Sequence, residues 1–542
     1  MKLVALLTAI SIALPAAGQR AGQRPGPETI TVEELAGRLR FISSDLFEGR
    51  YPGTRGEKLT LEYLVSELES FGVLPYRDNE WLQPVRIVLH DVMPEDTVQA
   101  ALSGRITRTL EHGRDLVLSN YTAAPRVEAS GELVFLGYGI QAPVYQWNDF
   151  EGVDLRGKIA IIMVGEPVIP GDATRFNGPR ASRYSWTTDK FADLEARGAV
   201  GALLVRPSAG VPRPNATGSR RIADAAVRAT LSFTGSISDA LVASLLPPGS
   251  PDLQALMASA GRPGFRPVPL GVRLDVRFQT RPHGITSHNV IGMIPGTDPR
   301  QRHEHVVISS HWDAFGIGRA VDGDSIYNGA LDDGSGMTVS LALARSFAQK
   351  PEPRSITVLF TTAEEWGLIG AEAFICHGPL APEQMVANLN VDDGIELFGV
   401  KRDVAPLGIE LSSLGRTVEQ VARTMGLRLS PDPFPQEGFF LRADNYPFAR
   451  AGIPSLYMAL GTDALDQPAG WTDARVREYL ERHYHRPSDD FNTVVVDMAG
   501  SLQFANFIRA TTSALATGRR PDWNDGSEFS RLYTGDQKPR CR

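Results

Sequence analysis

Histidines and carboxylates recur in this sequence at one kind of place, just after short apolar runs. Val306-Val307-Ile308-Ser309-Ser310 leads into His311-Trp312-Asp313, and Asn328-Gly329-Ala330-Leu331-Asp332-Asp333-Gly334-Ser335-Gly336 enters a helix-like stretch. Ile356 to Thr361 is followed by Ala363-Glu364-Glu365, and Val386 to Val391 by Asp392-Asp393-Gly394. Late in the chain stands His483-Tyr484-His485-Arg486-Pro487-Ser488-Asp489-Asp490. Singly, each is weak: an H-x-D triplet is common, and a Glu-Glu pair is ordinarily a solvated helix face. Together they place imidazole or carboxylate at the same edge of one apolar sheet. Buried carboxylates without a counter-charge cost several kcal/mol each, and a cationic centre removes that cost.

Imidazole with carboxylate and no thiolate suits zinc, manganese or cobalt, and the histidines disfavour calcium and magnesium. One metal with an open position needs only three protein ligands. Five candidates therefore point to two metals sharing a bridging carboxylate. The charge of two divalent ions is balanced by three carboxylates and one bridging hydroxide, with neutral imidazoles completing the shells. The other Glu of the pair is then left outside as a general base.

Such residues need a scaffold. From Asn289 the rhythm is α/β: strands at Val290 to Ile294, Val306 to Ser310, Ile356 to Thr361, Val386 to Val391 and Ser455 to Leu460. Helices fit Gly336 to Gln349, Leu368 to Ile375, Leu411 to Met425 and Met498 to Leu515. Alternation of this kind predicts a mostly parallel sheet flanked by helices, with ligands outside the carboxyl ends of its strands. Upstream, Thr31 reads as an N-cap with Glu34 three positions on and Leu35, Leu39 and Ile42 on one face. A second helix fits Glu57 to Phe71, closed by Gly72. From about 83 to 282 the texture is different, with β-like runs at Val85 to Leu89, Glu132 to Leu136 and Lys158 to Val164, a helix at Thr187 to Arg197, and many Gly and Pro turns.

The chain has 542 residues, room for about two to four domains. An apolar share of 42% and a charged share of 22% exclude a disordered or fibrous chain. A net charge of −8 argues against a general nucleic-acid binder. Two cysteines exclude a disulfide framework and a Cys-based zinc module; Cys376 and Cys541 can pair or stay free. Met1-Lys2, the apolar run Leu3 to Leu14 and Pro15-Ala16-Ala17-Gly18 read as a secretory signal peptide. No later apolar run is long enough for a membrane span. The expectation is an exported chain, periplasmic or secreted, with no membrane span after processing.

From about 286 to 515 the chain resembles the co-catalytic di-zinc aminopeptidases, the family that includes secreted leucyl aminopeptidases and glutamate carboxypeptidase. The stretches that carry the resemblance are S-H-N-V-I-G-M-I-P-G-T, S-S-H-W-D, N-G-A-L-D-D-G-S-G, F-T-T-A-E-E-W-G-L-I-G-A, A-N-L-N-V-D-D-G, R-A-D-N-Y-P-F-A-R-A-G-I-P and H-Y-H-R-P-S-D-D, in the family's order. E-L-V-F-L-G-Y-G-I-Q-A-P with W-N-D-F-E-G-V-D-L-R-G-K-I-A-I-I-M-V-G-E-P resembles the protease-associated domain that many members carry. The implied layout is a signal peptide at 1–18, an N-terminal part of the catalytic domain at 19–124, a small β-rich protease-associated domain inserted at 125–282, a di-zinc catalytic domain at 283–520 and a polar tail at 521–542.

The resemblance also implies roles, residue by residue. His311 matches the first ligand, Asp332 the bridging carboxylate, Glu364 the general base, Glu365 a ligand, Asp392 the second metal's carboxylate and His485 the last ligand. One zinc would take Asp332, Glu365 and His485, and the other His311, Asp332 and Asp392. Asp313 would orient His311, and Asp333 would follow Asp332 across a cis peptide. Tyr484 is a candidate oxyanion stabiliser; His483 competes with His485 if that segment is extended. Asp444-Asn445 departs from the family's Asp-His, which touches the surroundings of the metals rather than the ligands. Phe434, Phe439 and Phe440 either line an apolar pocket or pack a loop. The implied activity is removal of N-terminal residues from peptides by a metal-bridging hydroxide. The alternatives on the same fold are a glutamate carboxypeptidase-like dipeptidase, a glutaminyl cyclase with one zinc, and a receptor-like protein without catalysis.

Overall fold

The computed structural model describes residues 29–92, 98–122, 124–169, 171–172, 175–176, 178, 181–206, 218–222, 231–525, 527 and 529. The expected signal peptide, Cys541 and most of the polar tail lie outside the described residues. Cys376 is disulfide-bonded.

The chain opens with helices α1 (Val32–Ile42) and α2 (Arg55–Phe71). Thr31 caps α1 by accepting the Glu34 N–H at 3.2 Å, and Leu35, Leu39 and Ile42 are its buried face. α2 stops at Gly72, whose φ of +77° suits a residue without Cβ.

Strand β1 (Leu82–Val92) pairs antiparallel with β2 (Val268–Ile294). Beyond β2 follow β3 (His305–His311), β4 (Ser355–Thr361), β5 (Met385–Val391) and β6 (Ser455–Met458). In space the order is β6-β5-β3-β4-β2. β6, β5, β3 and β4 run parallel, and β2 lies antiparallel to β4. These parallel strands are apolar on both faces because both faces are covered. Val306, Ile308, Val358 and Phe360 point into a core shared with α1, α2, α3 (Gly336–Gln349) and, further along the chain, the helix Ala499–Thr517. Val307, Leu359 and Ile291 point the other way, toward α4 (Ile369–His377). The large sheet between helices is the α/β architecture that the alternation predicts.

β2 is 27 residues long and belongs to two regions at once. Its second half completes the sheet just described, while its first half pairs with Gln99–Gly104 and Arg126–Phe135. From Arg126–Phe135 a second set of parallel strands continues through Ile159–Ile162, Gly201–Arg206 and Phe233–Ser238, edged by antiparallel Leu116–Asn120. Helices Asp239–Leu245 and Leu253–Ala260 cover one face of this smaller lobe and Thr187–Ala196 the other. The sequence texture splits the chain at 124 and 282; hydrogen bonding carries Gln99–Asn120 into the smaller lobe's sheet and runs β2 unbroken through 282. Among the described residues no helix is long and apolar enough to cross a membrane.

Candidate metal centre

Because β3, β4 and β5 are parallel, their carboxyl ends share one edge, and each hands a functional group to it. His311 is the last residue of β3, Asp392 the first after β5, and Glu364 and Glu365 follow β4 closely. Asp332 stands on the loop that leads into α3, and the peptide bond between Asp332 and Asp333 is cis. His485 follows the helix α5 (Trp471–Arg482).

Asp332 sits between the two imidazoles. Its Oδ1 lies 3.1 Å from His311 Nε2 and its Oδ2 lies 3.2 Å from His485 Nε2. A further carboxylate approaches each ring: Asp392 Oδ1 at 3.7 Å from His311 Nε2, and Glu365 Oε2 at 3.2 Å from His485 Nε2. Two groups of three ligand atoms lie within 4.8 Å of one another, Asp332 with Glu365 and His485, and Asp333 with His311 and Asp392, and Asp332 reaches the second group through His311. Three buried carboxylate oxygens in or beside the cluster have no hydrogen-bond partner: Glu365 Oε1, Asp313 Oδ2 and Asp444 Oδ1. Buried polar groups are normally satisfied, and a cation is the partner that this donor set fits.

The electrostatics agree. Burial pushes the Glu364 carboxyl well above its ordinary range, and Asp392, Glu365 and Asp444 push it further against the pull of His311. Burial likewise raises Asp392 and Glu365, and lifts Asp313 and Asp444 to about 7. Burial also acts to raise Asp332, but hydrogen bonds from His311 and His485 outweigh it and hold that carboxyl low. Against their own desolvation, the surrounding acids raise His311 well above its ordinary value and His485 to about 9. Protons on the imidazoles do here what a cation would do better.

The supporting groups differ in part from the sequence expectation. Asp313 does not reach His311 through its carboxylate, which stays 3.8 Å from Nδ1; its backbone carbonyl accepts from Nδ1 at 3.0 Å. A carbonyl only accepts, so Nδ1 carries a proton, and Nε2 is the nitrogen turned to the cluster. The Asp313 carboxylate instead accepts the Glu364 N–H at 3.0 Å and so fixes the backbone of that residue. Asp333 also brings an oxygen within ligand distance of His311 and Asp392. Both of its oxygens, however, already accept backbone N–H groups, from His311 at 3.1 Å and Gly336 at 2.9 Å. Asp444 accepts from the Thr361 hydroxyl beneath the cluster.

His483 ends α5 and meets Ser488 Oγ at 3.0 Å, while His485 has a φ of +59°. The segment is not extended, so the two rings do not share a face. His485 is clasped between Tyr484 and Phe315, with centroids at 3.6 and 4.3 Å. Tyr484 presents its hydroxyl to Arg442 Nη2 at 3.0 Å. Of the three phenylalanines, Phe439 lines the cavity, Phe434 belongs to the main core and Phe440 packs behind.

Three holding groups had no reading in the sequence. Asp489 accepts the backbone N–H groups of Leu331 and Asp332 at 2.9 and 3.2 Å. The Tyr457 hydroxyl donates to the Asp392 carbonyl. Arg50 ties two of the loops together. Asp489 lies within a quoted motif, so a signal existed; Tyr457 and Arg50 carried none.

Residues 289–510 match peptidase family M28. The matched stretch takes in β3, β4 and β5 and each residue of the cluster from His311 to His485. Among curated proteins, an aminopeptidase of Bacillus subtilis is 26% identical over 215 residues, 39% of this chain and 41% of the relative. A probable leucine aminopeptidase 2 of Aspergillus oryzae is 28% identical over 106 residues, 20% of this chain and 19% of the relative. The chain thus aligns with less than half the length of these curated relatives. An aminopeptidase structure from Aneurinibacillus sp. strain AM-1 shares the fold with a TM-score of 0.51 at 18% identity, covering 90% of this chain and 94% of that one.

The larger region opens into a cavity of about 570 Å³. Its floor is His311, Asp332, Glu364, Glu365, Asp392 and His485, and Ile395, Phe398, Phe439 and Tyr457 make an apolar side. The smaller lobe supplies the opposite wall with Val164, Gly165, Trp186, Leu204 and Arg206. Arg442 lines the cavity beside Tyr484; Arg450 does not, and pairs with Glu372 and Asp189.

Proposed function

We propose that the protein is an exported zinc aminopeptidase that removes N-terminal residues from peptides. The observation that carries this reading is the Asp332 carboxylate, whose two oxygens face His311 and His485 from opposite sides at 3.1 and 3.2 Å. Asp332, Glu365 and His485 would hold one zinc ion, and His311, Asp332 and Asp392 a second. Bound there, zinc supplies Lewis-acid polarisation of the scissile carbonyl and acidifies the attacking water.

The chain's own groups do the rest. Glu364 is no member of either ligand group, its backbone is fixed by Asp313, and its environment favours the protonated form. It would accept the proton of the attacking water and pass it to the leaving amine. Tyr484, whose oxygen accepts from Arg442, would donate to the oxygen that gains charge as the carbonyl becomes tetrahedral. The apolar side formed by Ile395, Phe398 and Phe439 favours an apolar side chain on the substrate.

Arg442 supports a second reading, since a guanidinium in the cavity can hold a substrate carboxylate, as a carboxypeptidase requires. One experiment separates the two. Peptides with free and with acetylated N-termini are incubated with the protein, with and without chelator, and followed by mass spectrometry. Stepwise loss from free N-termini alone, stopped by chelator, is the expected result. Loss from the C-terminus would transfer the site to a carboxypeptidase, and pyroglutamate formation to a cyclase.

A further inference from the structure

Arg50 has no place in the chemistry above, yet its side chain is completely buried. It follows Glu48 and Gly49, and the three have φ values of +48°, +50° and +66° for Arg50, Glu48 and Gly49 respectively. Left-handed backbone at two side-chain-bearing residues persists only where the surroundings impose it. Gly49 is one reason for it: a Cβ there would stand 2.6 Å from the Tyr327 carbonyl oxygen and 2.7 Å from that of Gly316. The turn therefore lies hard against the loops that lead to the metal centre, and it aims Arg50 between them.

Four of the five guanidinium N–H groups donate to carbonyls. Nε donates to the Trp312 carbonyl at 2.8 Å, Nη1 to those of Asn328 at 2.6 Å and Ile42 at 3.2 Å, and Nη2 to that of Gly329 at 2.8 Å. Trp312 follows His311, and Asn328-Gly329 opens the loop that ends on Asp332. The backbone takes part too, since the Ala314 N–H donates to the Arg50 carbonyl, and the Asn328 side chain donates to the Asp45 carboxylate. All four acceptors of the side chain are carbonyls and none is a carboxylate, so the fork is spent on geometry. The carboxylates of Asp489, Asp333, Asp313 and Asp332 surround the cation at longer range.

The geometry points to Arg50 as the positioning residue of the metal centre: it locks the His311 loop to the Asp332 loop at the spacing that lets one carboxylate face both imidazoles. The inference rests on the zinc reading above. Two effects of Arg50 oppose each other. As a clamp it should strengthen zinc binding, and as a buried positive charge it should weaken it. A lysine keeps the charge but cannot span four carbonyls from one nitrogen, so R50K separates the two.

The test measures zinc retained by full-length wild type and R50K against graded chelator, together with the visible absorption of the cobalt-substituted proteins, whose bands report ligand geometry. Removing a group that orients metal ligands commonly costs about 10–100-fold in metal affinity. R50K is expected to bind zinc about 10-fold weaker or worse, with an altered cobalt spectrum and a thermal unfolding transition still present. R50M, if it folds, should be at least as weak despite losing the opposing charge. R50K with wild-type affinity and spectrum would overturn the proposal, as would an R50M that binds more tightly than wild type. Wild-type protein that takes up no zinc would overturn the zinc reading and this inference with it.

Discussion

In the smaller lobe the strands Ile159–Ile162 and Gly201–Arg206 run parallel and lead into the cavity wall at Val164, Gly165 and Arg206; across the same space β3, β4 and β5 run parallel and lead into its floor. Both regions also bury charge at that edge. In the smaller lobe the charge is satisfied: Lys190 Nζ donates to the Met163 and Gly165 carbonyls, and Asp149 accepts from the Ile140 N–H and the Trp147 ring at 3.0 and 2.8 Å. In the larger region it is not. Among the described residues, every buried side-chain polar atom without a partner lies between Ser310 and Thr512. Strand topology alone therefore does not mark a site. Buried carboxylate oxygens left without partners near the ends of parallel strands, as at Asp313 and Glu365, do.

If that difference is real, breaking the larger region should cost chemistry and breaking the smaller one should cost only stability or fit. The largest effect is expected from D332A, which removes the carboxylate common to both ligand groups. It should leave the protein unable to retain zinc and without measurable peptidase activity; retention of two ions on metal analysis would sink the bridging assignment. E364Q comes next. Zinc content should stay at the wild-type level while kcat falls by about 10²–10⁴-fold; near-normal turnover would remove Glu364 as the base.

How much of this was legible in the sequence follows the same divide. The strands and helices from Val306 onward could be read because each apolar run has its own length and period, and the acids and imidazoles stand at fixed places after them. β2 was not read whole, because Pro269, Pro282 and three glycines punctuate it, and only pairing on both edges shows it to be one strand. α5 went unread: Thr472, Val476 and Tyr479 are its buried positions, set in a mostly charged stretch. The direction of His485 depends on a left-handed backbone that no residue type announces. Arg50 was invisible for a different reason. Its partners lie 262 to 279 positions away at Trp312, Asn328 and Gly329, and local pattern has no access to contacts of that range.

The smaller lobe offers a prediction in pH. Burial pushes Lys190 down to about 7, against the pull of Glu166 and Asp149, and pushes Asp149 up to about 6. The unfolded chain holds the lysine proton up to its ordinary value of 10.5, so between about 7 and 10.5 it binds more protons than the folded lobe and stability rises with pH. For Asp149 the sign reverses: between 3.8 and about 6 the folded form holds the extra proton and stability falls as pH rises. K190M should abolish the rise on the alkaline side, and D149N the fall on the acid side, in melting temperatures taken across both windows. Peptidase activity at neutral pH should change far less than in E364Q. A K190M protein that keeps the full alkaline rise would assign that rise to another group.

The smallest effect is expected where the two regions touch. Trp186 lines the cavity from the smaller lobe and packs edge-on against Tyr446, with centroids 5.4 Å apart and planes at 63°. An aromatic pair of this kind is worth about 0.5–1.5 kcal/mol beyond its buried area, which corresponds to about 2- to 10-fold in an equilibrium. Trp186 is outside the proposed ligand and proton-transfer set, so its loss should act on substrate binding and leave the proton transfers alone. W186A is expected to raise KM for peptides by that factor with kcat within about twofold of wild type. A fall in kcat with KM unchanged would mean that the smaller lobe contributes to the chemical step, and the division between a wall that fits and a floor that reacts would have to be withdrawn.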